Sequence, residues 1–239
     1  MNLGLGRLGA AVSMCAVVAT CLAVSGAHLR YLQPKMVAEL AKAASQVEAG
    51  SLEEADARLD LVLVRGKVNI SLDTARLTIA ERVAAEKAFA DAVDMWRQEL
   101  GDDVTFQVVP QEMAQVRFRW SDGQAVGGRC AGHAVWSRQV WRAGEGFRSD
   151  LSADVELALY GSDGGNLPQE SLVQAAAHEL GHILGMDDTG RRGDLMGPVR
   201  PGRPVSQLSS HEREALDALR SEGKELAQVC LLQRLSMSW

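Results

Sequence analysis

Residues 178–188, with the sequence HELGHILGMDD, constrain the fold of this chain more than any other feature. His178 and His182 are four residues apart, so on a helix their imidazoles project from one face and can reach one metal ion. Gly185 follows, and a glycine at positive φ ends a helix and lets the chain turn back. Such a turn would bring Asp188 to the metal as a third ligand. Three protein ligands leave one position for water, which is typical of catalytic zinc sites.

Glu179, beside the first histidine, is predicted to be a general base rather than a ligand. In this interpretation Glu179 takes a proton from a water that zinc has acidified and passes it to the leaving amine. Two other interpretations remain open: a chance HExxH in an amphipathic helix, and a structural zinc site without activity. The spacing of the glycine and the aspartate argues against the first. The second would need a Cys or His to close the fourth position, and none lies nearby in the sequence.

The pattern HExxHxxGxxD resembles the metzincin signature HExxHxxGxxH, with Asp188 in place of the third histidine. Residues 192–198, RGDLMGP, resemble the metzincin Met-turn, which implies that Met196 packs beneath the metal. Together the motifs are most similar to matrixins, and an aspartate third ligand is similar to snapalysin-type proteases. The resemblance implies a zinc metalloendopeptidase that cleaves protein or peptide substrates. No tyrosine follows Met196, so a tyrosine-assisted mechanism of the astacin kind is not supported.

The expected fold class is α+β, a metzincin-like domain with a small, twisted, mostly parallel sheet and one antiparallel edge strand. Periodicity predicts strands at residues 67–72, 104–109, 115–120, 133–140 and 154–160. A long helix is predicted at 74–100, with a buried stripe of Phe89, Val93, Trp96 and Leu100.

Three further helices are predicted to begin with a capping box, in which a serine is followed three positions later by Glu or Gln. The pairs are Ser51 with Glu54, Ser171 with Gln174 for the zinc helix ending at Leu184, and Ser209 with Glu212 for a last helix through Leu219. Residues 34–64 are predicted to form a helical hairpin that breaks at Ala49 and Gly50. The hairpin is interpreted as a spacer, pro-segment or packing extension, with partner binding as the alternative.

The chain is divided into four predicted segments. Residues 1–27 are a signal peptide or membrane anchor, 28–65 the helical hairpin, 66–222 the matrixin-like domain and 223–239 a C-terminal tail. Residues 8–24 are uncharged and apolar, follow Arg7 and precede Ser25, Gly26 and Ala27, which predicts cleavage after Ala27. An uncleaved anchor is the alternative. Both interpretations predict an extracytoplasmic protein that is secreted, periplasmic or attached to the membrane.

Several polar groups have two interpretations. Cys130 and Cys230 either form a disulfide or are separate thiols. The loop at 163–166 either binds Ca²⁺, as matrixins often do, or is a plain turn. His133 is either a surface histidine or part of a substrate-binding edge strand. Glu212 or Glu214 would be a distal zinc ligand only if Asp188 were not one.

The net charge of −6 and the pI near 5.4 argue against a nucleic-acid-binding protein. The remaining alternative to a protease is a catalytically inactive, metal-stabilised binding module at the membrane. Glu179 favours the enzyme, because a structural metal site needs no carboxylate at that position.

Overall fold

The computed structural model describes residues 26–121, 131–161, 164–200 and 202–237. Six helices and five strands follow one another in these ranges. The helices are α1 (Gly26–Leu29), α2 (Pro34–Glu48), α3 (Leu52–Leu63), α4 (Ile79–Leu100), α5 (Gln169–Ile183) and α6 (Ser210–Met237). The strands are β1 (Gly66–Asp73), β2 (Val104–Val108), β3 (Val116–Ser121), β4 (Gly132–Ala143) and β5 (Gly146–Ala158).

The five strands form one sheet in the order β2-β1-β3-β5-β4. All neighbouring pairs are parallel except β4 and β5, which form an antiparallel hairpin. Strand β4 is therefore an edge strand and the only antiparallel one in the described sheet. The predicted α+β fold, with a mostly parallel sheet and an antiparallel edge, is confirmed.

One face of the sheet is buried, since alternate side chains of β1, β3 and β5 lie in one hydrophobic core with residues of α4 and α5. In β3, Val116, Phe118 and Trp120 are buried, whereas the intervening arginines are exposed. The predicted stripe on α4 is buried too, and the indole of its Trp96 donates to the carbonyl oxygen of Ala177 on α5 at 2.8 Å. This contact fixes α5 against α4.

A second hydrophobic core lies between the helical hairpin, α2 and α3, and helix α6. The predicted hairpin is confirmed, and its buried residues pack on Ala215, Leu219, Leu226 and Cys230 of α6. Residues 223–237, predicted to be a tail, are the second half of α6. The hairpin therefore packs against a helix that spans the predicted boundary at residue 222.

Two of the predicted helix starts were wrong, and at a third the start is correct but the predicted capping box is absent. Helix α4 begins at Ile79 rather than at 74, because Thr78 and Glu81 form the capping box. Helix α5 begins at Gln169 after Pro168, so Ser171 is a buried residue inside the helix. Ser51 is at the N-cap of α3 but makes no capping hydrogen bond, since Glu54 binds Arg58 instead.

The capping box of Ser209 and Glu212 at the start of α6 is confirmed. Among the described helices, none combines the length and apolarity needed to cross a bilayer. The predicted signal or anchor segment, Cys130 of the proposed disulfide, and Asp163 of the proposed calcium loop lie outside the described residues. Cys230 is buried in the second core.

Helix α6 contains a glutamate that should make stability depend on pH. Burial, together with the nearby charge of Glu225, raises the pKa of Glu222 to about 7 from an ordinary value of 4.5. Between these values the folded protein binds more protons than the unfolded chain, so stability falls as pH rises through this window. We expect Glu222→Gln to stabilise the protein by about 1 kcal/mol at pH 8, after allowing for solvent screening, and to have no effect near pH 4.

Urea denaturation at the two pH values measures this difference. Glu225→Gln is the matched control, since it removes only the repulsion from an exposed neighbour and should stabilise less. Equal effects of Glu222→Gln at both pH values would contradict the assignment.

Candidate metal centre

The predicted metal ligands lie on α5 and on the turn that follows it. Helix α5 ends at Ile183, and Gly185 has a φ of +100°, in the region that favours glycine. The backbone N–H of Met186 donates to the carbonyl oxygen of Gly181, which closes the turn. This reversal brings Asp188 back beneath the two histidines, as the spacing predicts.

His178, His182 and Asp188 are the one group of potential metal ligands within the described residues. Oδ1 of Asp188 lies 3.0 Å from Nε2 of His178 and 3.4 Å from Nε2 of His182. Ligand atoms bound to a tetrahedral zinc at about 2.0–2.1 Å are roughly 3.3–3.4 Å apart. The spacing of these donors, two imidazoles and one carboxylate, therefore fits a zinc ion. The side chain of Asp188 is 73% exposed, so the site opens to solvent.

Backbone carbonyl groups orient both imidazole rings. Nδ1 of His178 lies 3.1 Å from the carbonyl oxygen of Leu195, and Nδ1 of His182 lies 3.1 Å from that of Met186. When Nδ1 donates its proton to a carbonyl, Nε2 is left as the lone-pair donor that a metal requires. Once Nε2 has lost any proton that it carries, these contacts therefore leave the rings in the tautomer suited to metal binding.

The three groups also influence one another's protonation. Hydrogen bonds from the two histidines hold the pKa of Asp188 well below its usual range. Burial opposes protonation of His182, but its hydrogen bond to Asp188 and the charge of Glu179 raise the pKa of His182 overall. Below this raised pKa, a metal ion that binds Nε2 of His182 must therefore displace a proton from that imidazole.

Glu179 lies next to the three ligand candidates without belonging to their group. It is 4% exposed, and its Oε2 atom is buried without a hydrogen-bond partner among the described residues. Burial raises the pKa of Glu179, and the positive charges of His178 and His182 oppose that effect. A buried carboxylate with an unpartnered oxygen beside a metal site can accept and return a proton.

Met196 is fully buried, with its sulfur atom against Gly181 of α5. Its loop is held by Glu212, which is also fully buried. The carboxylate of Glu212 accepts the backbone N–H groups of Leu195 at 3.0 Å, Met196 at 2.7 Å and Ser209 at 2.8 Å. Glu212 therefore supports the loop beneath the site, and the structure excludes it from the group of potential ligands.

The segment that precedes the helical hairpin pairs with the turn after α5. Leu32 and Met186 form an antiparallel β-bridge, and the backbone N–H of Gln33 donates to the carbonyl oxygen of Gly185 at 2.9 Å. The backbone N–H of Asp187 donates to the carbonyl oxygen of Tyr31 at 2.9 Å. The N-terminal segment thus lies directly against the turn that positions Asp188.

Arg138 on β4 connects the C-terminal end of α5 to helix α3 of the hairpin. Its buried guanidinium donates to the carbonyl oxygens of Leu61, His182 and Ile183 at 2.7, 3.2 and 2.5 Å. Burial without a carboxylate partner lowers the pKa of Arg138 to about 10. Since cations are favourable at helix C-termini, Arg138 stabilises the end of α5 and links it to α3.

A cleft of about 560 Å³ runs past these groups. Residues of α5, including Glu179, line its floor, and residues 196–199 line one side. The other sides are formed by residues 131–134 and Trp136 at the start of β4, and by residues 33–35. His133 is exposed at this edge and takes no part in the ligand group.

Comparison with known proteins agrees with this geometry. Residues 67–220 match the family model of the matrixin peptidases. The chain belongs to the matrixin family. Mouse (Mus musculus) matrix metalloproteinase-21 is 30% identical over 118 residues, which cover 47% of this chain and 19% of that protein. Membership of the matrixins confirms the predicted metzincin relationship and implies dependence on zinc.

This matrixin contains site residues that sequence patterns did not indicate. Glu212 was predicted as a cap, but the sequence did not indicate that its carboxylate also accepts the backbone N–H groups of Leu195 and Met196. Arg138 and Gln33 gave no sequence signal, because their partners are backbone carbonyls far away in the chain.

Proposed function

We propose that this matrixin is an extracytoplasmic zinc-dependent metalloendopeptidase in which Glu179 is the general base. One observation supports this most directly. The ligand group His178, His182 and Asp188 opens into the same cleft as the buried carboxylate of Glu179. A purely structural metal site would be closed to solvent and would not need a carboxylate in that place.

The substrate in this proposal is an extended stretch of protein or peptide. Strand β4 has no further partner strand in the described sheet, and its first residues line the cleft. An extended peptide can pair with such an edge by strand addition. The scissile carbonyl would then lie above the metal site, between β4 and residues 196–199.

Bound zinc supplies a Lewis acid that acidifies water and polarises the scissile carbonyl. His178, His182 and Asp188 would hold the metal, and the carbonyl oxygens of Leu195 and Met186 would keep both imidazoles in the binding tautomer. Glu179 accepts the proton of the attacking water at its carboxylate and returns it to the leaving amine. Met196 fills the space under the ligands.

The extracytoplasmic location is supported by the uncharged apolar run of residues 8–24 followed by small residues. Whether that segment is removed or stays as an anchor decides between a released and a membrane-attached enzyme. Both forms would present the same cleft to extracellular or periplasmic protein.

Zinc content and proteolysis, measured together, test the proposal. Purified protein should bind zinc and cleave an unfolded protein substrate, and a chelator should stop cleavage until zinc is restored. Bound zinc with no cleavage of any unfolded substrate would overturn the protease and favour a metal-stabilised binding module.

Substitution of two neighbouring aspartates tests the assignment of Asp188 as the third ligand. Asp188→Ala is expected to weaken zinc binding more than about 100-fold. Even replacing a residue that only hydrogen-bonds to a metal ligand lowers metal affinity about 10–100-fold. Asp187→Ala is the matched control, because Asp187 accepts the backbone N–H of Asp188 but is not in the ligand group. Competition with a chromophoric chelator measures both affinities. Weaker binding in Asp187→Ala than in Asp188→Ala would show that the turn presents the other carboxylate.

A further inference from the structure

One end of the cleft is positively charged. The cleft follows α5, and the side chain of Gln33 marks its C-terminal end by donating to the carbonyl oxygen of His182 at 3.0 Å. Lys35, two residues further on, and Trp136 also line this part. Arg138 does not line the cleft, but its guanidinium lies over the indole ring of Trp136. We call Lys35, Trp136 and Arg138 together the basic end of the cleft.

The basic end is separated from the reacting groups along β4. A Cβ atom on Gly132 would lie 2.5 Å from Oε1 of Glu179, so β4 passes Glu179 at that residue. Trp136 is four residues further along the strand, which corresponds to about 13 Å. A peptide paired with β4 would therefore reach the basic end a few residues away from its scissile bond.

Two cations lie on the same indole ring. Nζ of Lys35 and Cζ of Arg138 are each 5.5 Å from the centroid of Trp136. Lys35 also donates to the carbonyl oxygen of Arg138 at 3.0 Å. Among the described residues, neither cation has a carboxylate within ion-pair distance.

The two cations differ in accessibility. Arg138 is buried, so its charge acts through a region of low dielectric and contributes to the positive potential of the surface above it. Lys35 is exposed, and its ammonium group uses one of three donors on the carbonyl oxygen of Arg138. Two donors remain for a ligand, and the indole offers an apolar surface beside them.

We propose that the basic end of the cleft is a substrate subsite that selects an acidic side chain, glutamate or aspartate, of the bound peptide. This inference rests on the proposed peptidase function. The carboxylate would accept hydrogen bonds from Lys35, and its methylene groups would pack on Trp136. The carboxylates of Glu179 and Asp188, which line the cleft at the candidate metal site, disfavour a second acidic residue there.

Peptides blocked at both termini test the subsite, because side chains are then their only carboxylates. Each peptide has Glu, Gln or Lys at one position, scanned over three residues on either side of the scissile bond. Zinc-loaded wild-type protein is expected to prefer Glu over Gln about threefold to tenfold in kcat/KM at one position, and the preference should shrink at high salt. Lys35→Ala should abolish that preference, and Lys35→Glu should shift it to Lys.

Lys87→Ala is the matched control, since Lys87 is an exposed lysine on α4 outside the cleft. It should leave the preference unchanged, and its cleavage of the Gln peptide should match that of the wild-type protein. Cleavage of the Gln peptide without a Glu preference, or a preference that persists in Lys35→Ala, overturns the subsite alone. Wild-type protein that cleaves no peptide overturns the proposed function and the subsite together.

Discussion

Glu179→Gln is expected to lower kcat about 1,000-fold while zinc content and affinity stay close to those of the wild-type protein. The amide has nearly the same shape as the carboxylate but cannot take a proton from water. Because Glu179 lies outside the ligand group, its replacement leaves all three donors in place. Its carboxylate is buried without a partner for Oε2 among the described residues, so a neutral side chain should not reduce stability.

Single-turnover cleavage of an unfolded protein, measured beside zinc analysis, separates chemistry from metal loss. Glu170→Gln is the matched control, because it makes the same chemical change at an exposed position in the first turn of the same helix. That control should retain full activity. A Glu179→Gln protein that cleaves at the wild-type rate would remove the general base from the mechanism.

Glu212→Leu is expected to destabilise the zinc-loaded protein by about 3–5 kcal/mol and to weaken zinc binding 10–100-fold. Three backbone N–H groups lose a charged acceptor. Leaving one such group unsatisfied in the interior costs about 1–3 kcal/mol of stability. One of them belongs to Leu195, whose carbonyl oxygen orients the ring of His178. The effect should therefore reach the metal without a change in any ligand.

Urea denaturation with and without zinc, combined with chelator competition, measures both effects of Glu212→Leu. Glu214→Leu on the same helix is the control, since that side chain is 57% exposed and should change stability by no more than about 0.5 kcal/mol. If Glu212→Leu weakened zinc binding no more than the control does, the connection through Leu195 would be wrong.

The grouping of His178, His182 and Asp188 could be predicted from sequence because its geometry is local. His178 and His182 are related by the helical repeat, and Gly185 supplies the positive φ that the turn needs. These requirements are met within one short segment, so spacing alone suffices. The buried face of the sheet was predictable for a similar reason, since alternation within a strand reports which side is covered.

Contacts between distant segments were not predictable in this way. The hydrogen bonds of Arg138 go to backbone carbonyls, which every residue has, so no residue pattern identifies them. The start of α5 was also misjudged, since Ser171 and Gln174 fit a capping box while Pro168 sets the true boundary. Gln174 instead accepts the backbone N–H of Val205, a partner that only the tertiary fold provides.

The pairing of the N-terminal segment with the turn after α5 has a consequence for the order of folding. Gln33 and His182 are in contact although 149 positions separate them in the chain. Closing so long a loop is slow compared with forming local helices. We expect the turn with Asp188 to become rigid only after most of the chain has collapsed, so that tight zinc binding marks the last step of folding rather than its nucleus.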